Sequence, residues 1–476
     1  MSSFEPVIGL EIHAQISTKS KMFCSCKNDS FGCLPNTNVC PICMGFPGML
    51  PVINKETVTQ GVLAALALHC EIPAFSKFDR KNYFYPDLPK GFQISQYDKP
   101  VSQKGYVDIL INGKPKKIRV HRLHLEDDAG KLVHVKDGTL CDYNRSGSPL
   151  MEIVSEPDIR SVEEASEYAQ EIRRILRYVG ASDCDMEKGM MRFDINVSLR
   201  KKGEEKFGVK AEVKNLNSFR ALEAALAYEI SRQEEVLKSG GKITQETRGW
   251  DDAKGETFSQ RSKEEAHDYR YFPEPDLPPM QISHEQIERF KEELPELPLA
   301  RRQRFIQKFG LSEEDAGILT EEKSMADYFE ETVRISKDPK KAVSFINTIL
   351  LKHLNEDGLR LTDCKIQASQ LGKLLKLVNE GVISNNMAKS EIFDAMYSTG
   401  KDPEKIVEEK GLKLVSDTGA IEAICQKVID ENPGPVADFK GGKQQAFGFL
   451  VGKVMQASKG QANPKSANEI LRKLLG

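Results

Sequence analysis

No apolar run in this 476-residue chain approaches the roughly 20 residues needed to cross a bilayer, so no membrane segment is expected. An excess of one charge sign is also missing: 68 Lys and Arg stand against 71 Asp and Glu, a net of −3. That excludes a uniformly basic protein, although a local Lys/Arg patch is enough to bind nucleic acid. Neither glycine-rich phosphate cradle occurs, whether Gly-x-x-x-x-Gly-Lys-Ser/Thr or Gly-x-Gly-x-x-Gly after a strand. A nucleotide, if one is used, must be held by metals and side chains on a sheet. There is no Gly-x-Ser-x-Gly elbow and no Ser-rich, Lys-containing amidase signature, so the chain is not expected to hydrolyse an amide such as glutamine. Internal repeats and low-complexity tracts are absent. Met1-Ser2-Ser3-Phe4 enters a strand almost at once, leaving no room for a signal or transit peptide, and a cytosolic (cytoplasmic) location is expected.

What is present is an ordinary globular composition, with 39% hydrophobic and 29% charged residues, in a chain too long for one core. Five stretches alternate apolar and chemically active residues with a period of two. Their active faces carry Glu11, His13, His124, Glu126, Asp128, Glu152, Arg192, Asp194, Asn196, Glu212 and Lys214. In Pro6–Ile16, residues Ile8, Leu10, Ile12, Ala14 and Ile16 share one side and leave Glu11 and His13 on the other. Met191–Arg200 repeats the pattern, with Met191, Phe193, Ile195, Val197 and Leu199 opposite Arg192, Asp194, Asn196, Ser198 and Arg200. Side chains alternate across a strand, so each run predicts one greasy and one polar sheet face. A solvated face is usually Thr, Lys and Ser. Carboxylates and histidines are what a divalent-metal or phosphate-handling site requires. Gathered carboxylates repel one another unless cations neutralise them, so the pattern implies bound metal.

Strands mix with amphipathic helices to about Pro279; Val162–Val179 and Phe219–Ser239 are two such helices, the second stopped by Gly240-Gly241. Glu293-Leu294-Pro295-Glu296-Leu297-Pro298 breaks the pattern, and Ser312-Glu313-Glu314-Asp315 has the form of a capping box. Helical periodicity then continues to about Lys410. In the remainder, Asn432-Pro433-Gly434-Pro435 separates helices and Lys440-Gly441-Gly442-Lys443 leads into Gln444–Ala457. The expected domains are residues 1–293, 294–410 and 411–476.

Of ten cysteines, Cys24, Cys26, Cys33, Cys40 and Cys43 crowd together, which in a long cytosolic chain points to metal rather than to cross-links. Cys40-Pro41-Ile42-Cys43 is a zinc-knuckle spacing, and Cys24-Ser25-Cys26 supplies a second pair, with Cys33 able to replace one member. Four thiolates make a closed, structural Zn²⁺ site. Four buried thiols are the plainer alternative. Asp79–Lys90 and Asp268–Asp276 combine cations with aromatics; each suits phosphate and base contact, or simply an ordered loop.

Several long motifs resemble the GatB/GatE family, whose B type is one component of the tRNA-dependent aspartyl/glutamyl amidotransferase. They are Val7-Ile8-Gly9-Leu10-Glu11-Ile12-His13, Lys77–Asp87, Leu125–Lys131, Asn144–Asp158, Lys214-Asn215-Leu216-Asn217-Ser218-Phe219 and Tyr269–Asp276. Gly448-Phe449-Leu450-Val451-Gly452 and Lys459-Gly460-Gln461-Ala462-Asn463-Pro464 extend the likeness to the tail. The resemblance implies an α+β fold: a mostly antiparallel-sheet catalytic cradle like that of glutamine synthetase and the guanidino kinases, then an all-α domain and a small helical YqeY-like, tRNA-binding tail. It implies that ATP phosphorylates the side-chain carboxylate of Glu-tRNA(Gln) or Asp-tRNA(Asn), and that channelled ammonia then forms the amide. Implied partners are an amidase, GatA, and a small protein, GatC, in a heterotrimer. By the family's motifs, His13, Glu126 and Glu152 resemble ligands of one Mg²⁺, with Glu11 and Glu212 near a second cation. Arg80, Lys81 and Tyr83 are implied contacts of ATP or the acyl end. Cys24, Cys26, Cys40 and Cys43 correspond to zinc-bearing members. The alternative is a non-catalytic tRNA-binding scaffold. The archaeal E type carries a large insertion in its second half, for which there is no room after Pro279, so the B type is preferred.

Overall fold

The eight strands of the principal sheet, numbered in chain order, are β1 (Phe4–Gln15), β2 (Ser102–Ile111), β3 (Lys114–Asp127), β4 (Pro149–Ser155), β5 (Met191–Lys201), β6 (Ala211–Leu216), β7 (Glu246–Asp251) and β8 (Glu256–Ser262). They come from a computed structural model that describes residues 3–262, 266–414, 418–458 and 462–476. The tail-motif residues Lys459, Gly460 and Gln461 lie outside the described residues. In space the order is β8-β7-β6-β5-β1-β4-β3-β2. Every neighbouring pair is antiparallel except β6 with β7. A parallel neighbour cannot be reached by a tight turn. Helix Phe219–Lys238 intervenes between those two strands and supplies the crossover.

Alternation along β1 buries Ile8, Leu10, Ile12 and Ala14 in one core shared with three helices, α1 (Lys55–Ala67), α2 (Val162–Tyr178) and α3 (Phe219–Lys238). Each fully buried Ile, Leu or Phe side chain contributes roughly 1.5–3 kcal/mol. That face therefore holds the sheet together, and the opposite face is free for chemistry. The helices begin where local chemistry starts them: Ser161 Oγ accepts from the Glu164 amide at 3.1 Å, and Ser218 Oγ accepts from the Ala221 amide at 3.0 Å. A smaller three-stranded sheet sets Asp79–Asn82 between Phe92–Ser95 and Phe272–Pro273, so the two cation-and-aromatic segments of the sequence adjoin.

The chain divides into two units, Met1–Ala300 and Arg301–Gly476. The second is built of helices around two buried clusters, one running from Phe305 to Leu412 and the other from Ile421 to Leu475. Two local expectations change. Ser312 Oγ accepts from the Asp315 amide at 3.0 Å, but the Asp315 carboxylate meets the Ser312 hydroxyl at 2.8 Å instead of a backbone N–H, so only half of the capping box forms. Pro433 opens a helix rather than separating two, because the first helical position needs no N–H; only Asn432 lies between Thr418–Glu431 and Pro433–Lys440. Among the described residues no helix is long and apolar enough to cross a membrane.

Candidate active site

Antiparallel register places His124 of β3 opposite Glu152 of β4, Glu152 opposite His13 of β1, and His13 opposite Arg192 of β5. One rung of the polar face thus alternates base, acid, base and cation across four strands. Glu152 Oε2 lies 3.4 Å from His13 Nε2 and 3.2 Å from His124 Nε2, and His124 Nε2 is 3.5 Å from Glu126 Oε2. Ser95, from the small sheet, donates to Glu126 Oε2 at 2.9 Å. The His13 and Glu152 side chains are only 12% and 11% exposed. Burial favours the neutral acid at Glu152, but the two imidazoles outweigh it and hold the carboxyl well below its usual range. Burial likewise disfavours charge on His13 and His124, and Glu152 overrides it, raising both imidazoles above the ordinary histidine value.

The ligand atoms of His13, Glu126 and Glu152 lie within 4.8 Å of one another. Two ligands on opposite sides of Mg²⁺ are about 4.2 Å apart, so a slight contraction closes the group on a small cation. The buried Nδ1 atoms of His13 and His124 have no partner among the described residues. These residues fit a divalent cation. A second group, Glu11, Asp194 and Glu212, meets the same spacing. Asn196 Nδ2 donates to Glu11 Oε1 at 2.8 Å, and the Asn215 amide donates to Asp194 Oδ1 at 2.8 Å. A register shift between Phe193 and Ile195 seats Asp194 there. Burial pushes the Glu11 carboxyl upward, and Glu152, Glu212 and Asp194 add to the shift.

Lys81 reaches this face from the small sheet, and Tyr83 follows directly after that strand. The Lys81 ammonium sits 5.0 Å from the Tyr269 ring centre and 6.0 Å from that of Tyr83. Burial opposes its charge, but Tyr271, Glu126 and Glu152 more than compensate and raise its pKa. Tyr271 stacks on Tyr97 at 4.3 Å, and burial pushes its phenol up to about 12. The sequence suggests Arg80 as a companion of Lys81, and the structure sends it elsewhere, since successive side chains of a strand face opposite ways. Its guanidinium forks onto Glu274 at 2.7 and 2.8 Å, meets Asp276 at 3.3 Å and covers the Phe92 ring at 4.3 Å. It is a brace. Arg248 is another, donating to Thr257 Oγ1 and O at 2.9 and 2.8 Å beside buried Glu229. His124, Asp194 and Lys214 stand on the alternating faces with no role that the sequence assigns; their part in the two groups follows from register.

Cys24, Cys26, Cys40 and Cys43 also bring their sulfurs within 4.8 Å, whereas exposed Cys33 lies outside the group. Sulfurs around tetrahedral Zn²⁺ are about 3.8 Å apart, so four thiolates here fit that ion after modest closure. A hydrogen bond from the Cys24 thiol pulls Cys43 down to about 5, helped by the Cys40 amide and Lys21. The loop is tied to the sheet: Gly147 O accepts from the Met22 amide, and its N–H donates to Asp128 O, both at 2.9 Å. Gly147 has φ +83°, and a Cβ there would come within 3.1 Å of the Cys43 Cβ, so glycine is required.

Fold and site together define an α+β, sheet-based protein with two acid-rich groups of potential metal-ligating side chains on one face and no glycine cradle. More particularly, the chain belongs to the GatB/GatE family: residues 6–288 match the GatB/GatE catalytic domain, and residues 327–475 match the GatB domain. A relative from Carboxydothermus hydrogenoformans, named as the B component of the aspartyl/glutamyl-tRNA(Asn/Gln) amidotransferase, is 51% identical over 477 residues, covering 99% of each chain. Relatives of the same name from Persephonella marina and Thermoanaerobacter pseudethanolicus are 52% and 53% identical over 473 residues, again with 99% coverage of each chain.

Proposed function

We propose that this chain activates the side-chain carboxylate of Glu-tRNA(Gln), Asp-tRNA(Asn) or both. The carboxylate oxygen bonds to the γ-phosphorus of ATP and ADP leaves; ammonia then attacks the acyl carbon and phosphate departs, giving Gln-tRNA(Gln) or Asn-tRNA(Asn). A free carboxylate would have to expel oxide, so phosphorylation supplies the leaving group. His13, Glu126 and Glu152 would hold one Mg²⁺, and Glu11 and Glu212, with Asp194, a second cation; such ions neutralise polyphosphate charge. The observation that carries the reading is the convergence of both acidic groups and Lys81 on one sheet face.

Within that face, Ser95 fixes the Glu126 carboxylate and His124 orients Glu152. No carboxylate of the described residues lies in ion-pair contact with the Lys81 ammonium, which leaves it available to an anionic oxygen of the substrate. Tyr83 and Tyr269 flank it, and their rings pack on one another and on Tyr271, so the half-buried ammonium is held among aromatic faces. The four cysteines would hold a structural Zn²⁺ that fastens the loop beside Asp128. Ammonia comes from glutamine hydrolysed by the amidase partner GatA, with the small partner GatC completing a cytoplasmic heterotrimer; the missing amidase signature supports this division. The helical unit and its tail hold the tRNA. The test is an amidation assay with both mischarged tRNAs and the two protein partners. ATP-dependent phosphate release that requires mischarged tRNA supports the reading; tRNA binding without release would leave a scaffold.

A further inference from the structure

The two acidic groups are balanced in different ways. Glu126 and Glu152 have only histidines in ion-pair contact among the described residues. The second group holds an ammonium: Lys214 Nζ lies 3.3 Å from Glu212 Oε1 and 3.5 Å from Asp194 Oδ2. Lys214 and Glu212 are two apart on β6 and share its polar face, while Asp194 faces them from β5. The Lys214 side chain is 29% exposed, so it can leave its seat without moving the strand. A divalent ion entering there would have to displace it, because like charges a few ångströms apart repel.

We propose that Lys214 is the resident counter-ion of the Glu11, Asp194 and Glu212 group, and that it keeps a divalent ion out of that group while no substrate is bound. The inference rests on reading both groups as cation sites. The test titrates the full-length, zinc-loaded protein with Mn²⁺ in the absence of nucleotide, and counts bound ions by the loss of the free-ion paramagnetic resonance signal. The wild-type chain is expected to bind one Mn²⁺, Lys214→Met two and Lys214→Arg one, and the ion gained in Lys214→Met is lost when Glu212→Gln is added. Lys214→Gln repeats the count in a second neutral variant, with melting curves confirming that each variant folds. A wild-type chain that already binds two ions, or neutral variants that gain none, overturns the proposal. If Glu126→Gln leaves the wild-type count unchanged, the first group is not a metal site and the functional reading fails. The gain at Lys214 still decides the present inference, because it is scored against the wild-type count.

Discussion

Glu152 and His13 face each other in register on neighbouring strands, with Oε2 3.4 Å from Nε2, and His124 closes on the same oxygen from the other side. Glu126 completes the group. Glu126→Gln keeps size and removes the charge, and is expected to abolish amide formation while tRNA binding persists. Turnover and tRNA affinity, measured on one preparation, decide it: unchanged turnover removes Glu126 from the mechanism.

Ser95 acts only through the Glu126 oxygen it donates to at 2.9 Å. Losing such a supporting hydrogen bond typically weakens metal affinity by about 10–100-fold. Ser95→Ala should therefore show that loss in a Mn²⁺ titration with little change in melting temperature. Equal affinity in the two proteins would detach the small sheet from the cation group.

The histidines set a pH dependence. Their folded pKa values lie above the ordinary value of about 6.5. In the cation-free protein their stabilisation is complete below the unfolded value and is lost as pH rises through the raised folded values. A cation takes over from the imidazolium charge and releases the protons, so metal affinity rises over the same range. The increase in melting temperature on adding Mg²⁺ should be larger at pH 8 than at pH 6. The reverse order would mean that the ion and the protons do not compete.

Zinc content separates the ligands from the bystander. Cys43→Ser removes the thiol held down near 5 and should lose the metal and lower the melting temperature, whereas Cys33→Ser should keep about one Zn²⁺ per chain. Elemental analysis of the purified variants gives the count.

Much of this site was legible locally. The period-two runs placed Glu11 and His13, and Asp194 and Asn196, on the polar faces of their strands, and helical spacing located α2 and α3, because each pattern is a property of adjacent residues. What stayed hidden depends on distant pairing. Alternation cannot say that Glu152 stands between two histidines; strand register does. It cannot show the slip between Phe193 and Ile195, or that β6 and β7 run parallel. Arg80 is the clearest case. Beside Lys81 it reads as a second phosphate contact, yet its partner Glu274 is 194 residues further along the chain.

That contrast sets up the last experiment. Arg80 neutralises buried Glu274, and removing one partner of such a pair leaves a charge without compensation, at a cost of about 3 kcal/mol. Lys81 has no such partner among the described residues; its ammonium faces Tyr269 and the Glu126 and Glu152 carboxylates. Arg80→Met is therefore expected to lower the urea midpoint of the first unit while the remaining folded enzyme keeps its KM for ATP. Lys81→Met should lower the midpoint less than Arg80→Met does, because the ammonium is in ion-pair contact with no carboxylate of the described residues, while amide formation collapses. The two residues are adjacent in sequence and identical in charge, so electrostatics summed over the segment predicts the same outcome for both. Only the opposite directions of their side chains make the outcomes differ. Equal losses of activity at equal stability would return Arg80 to the substrate and undo the assignment of the Glu274 pair as a brace.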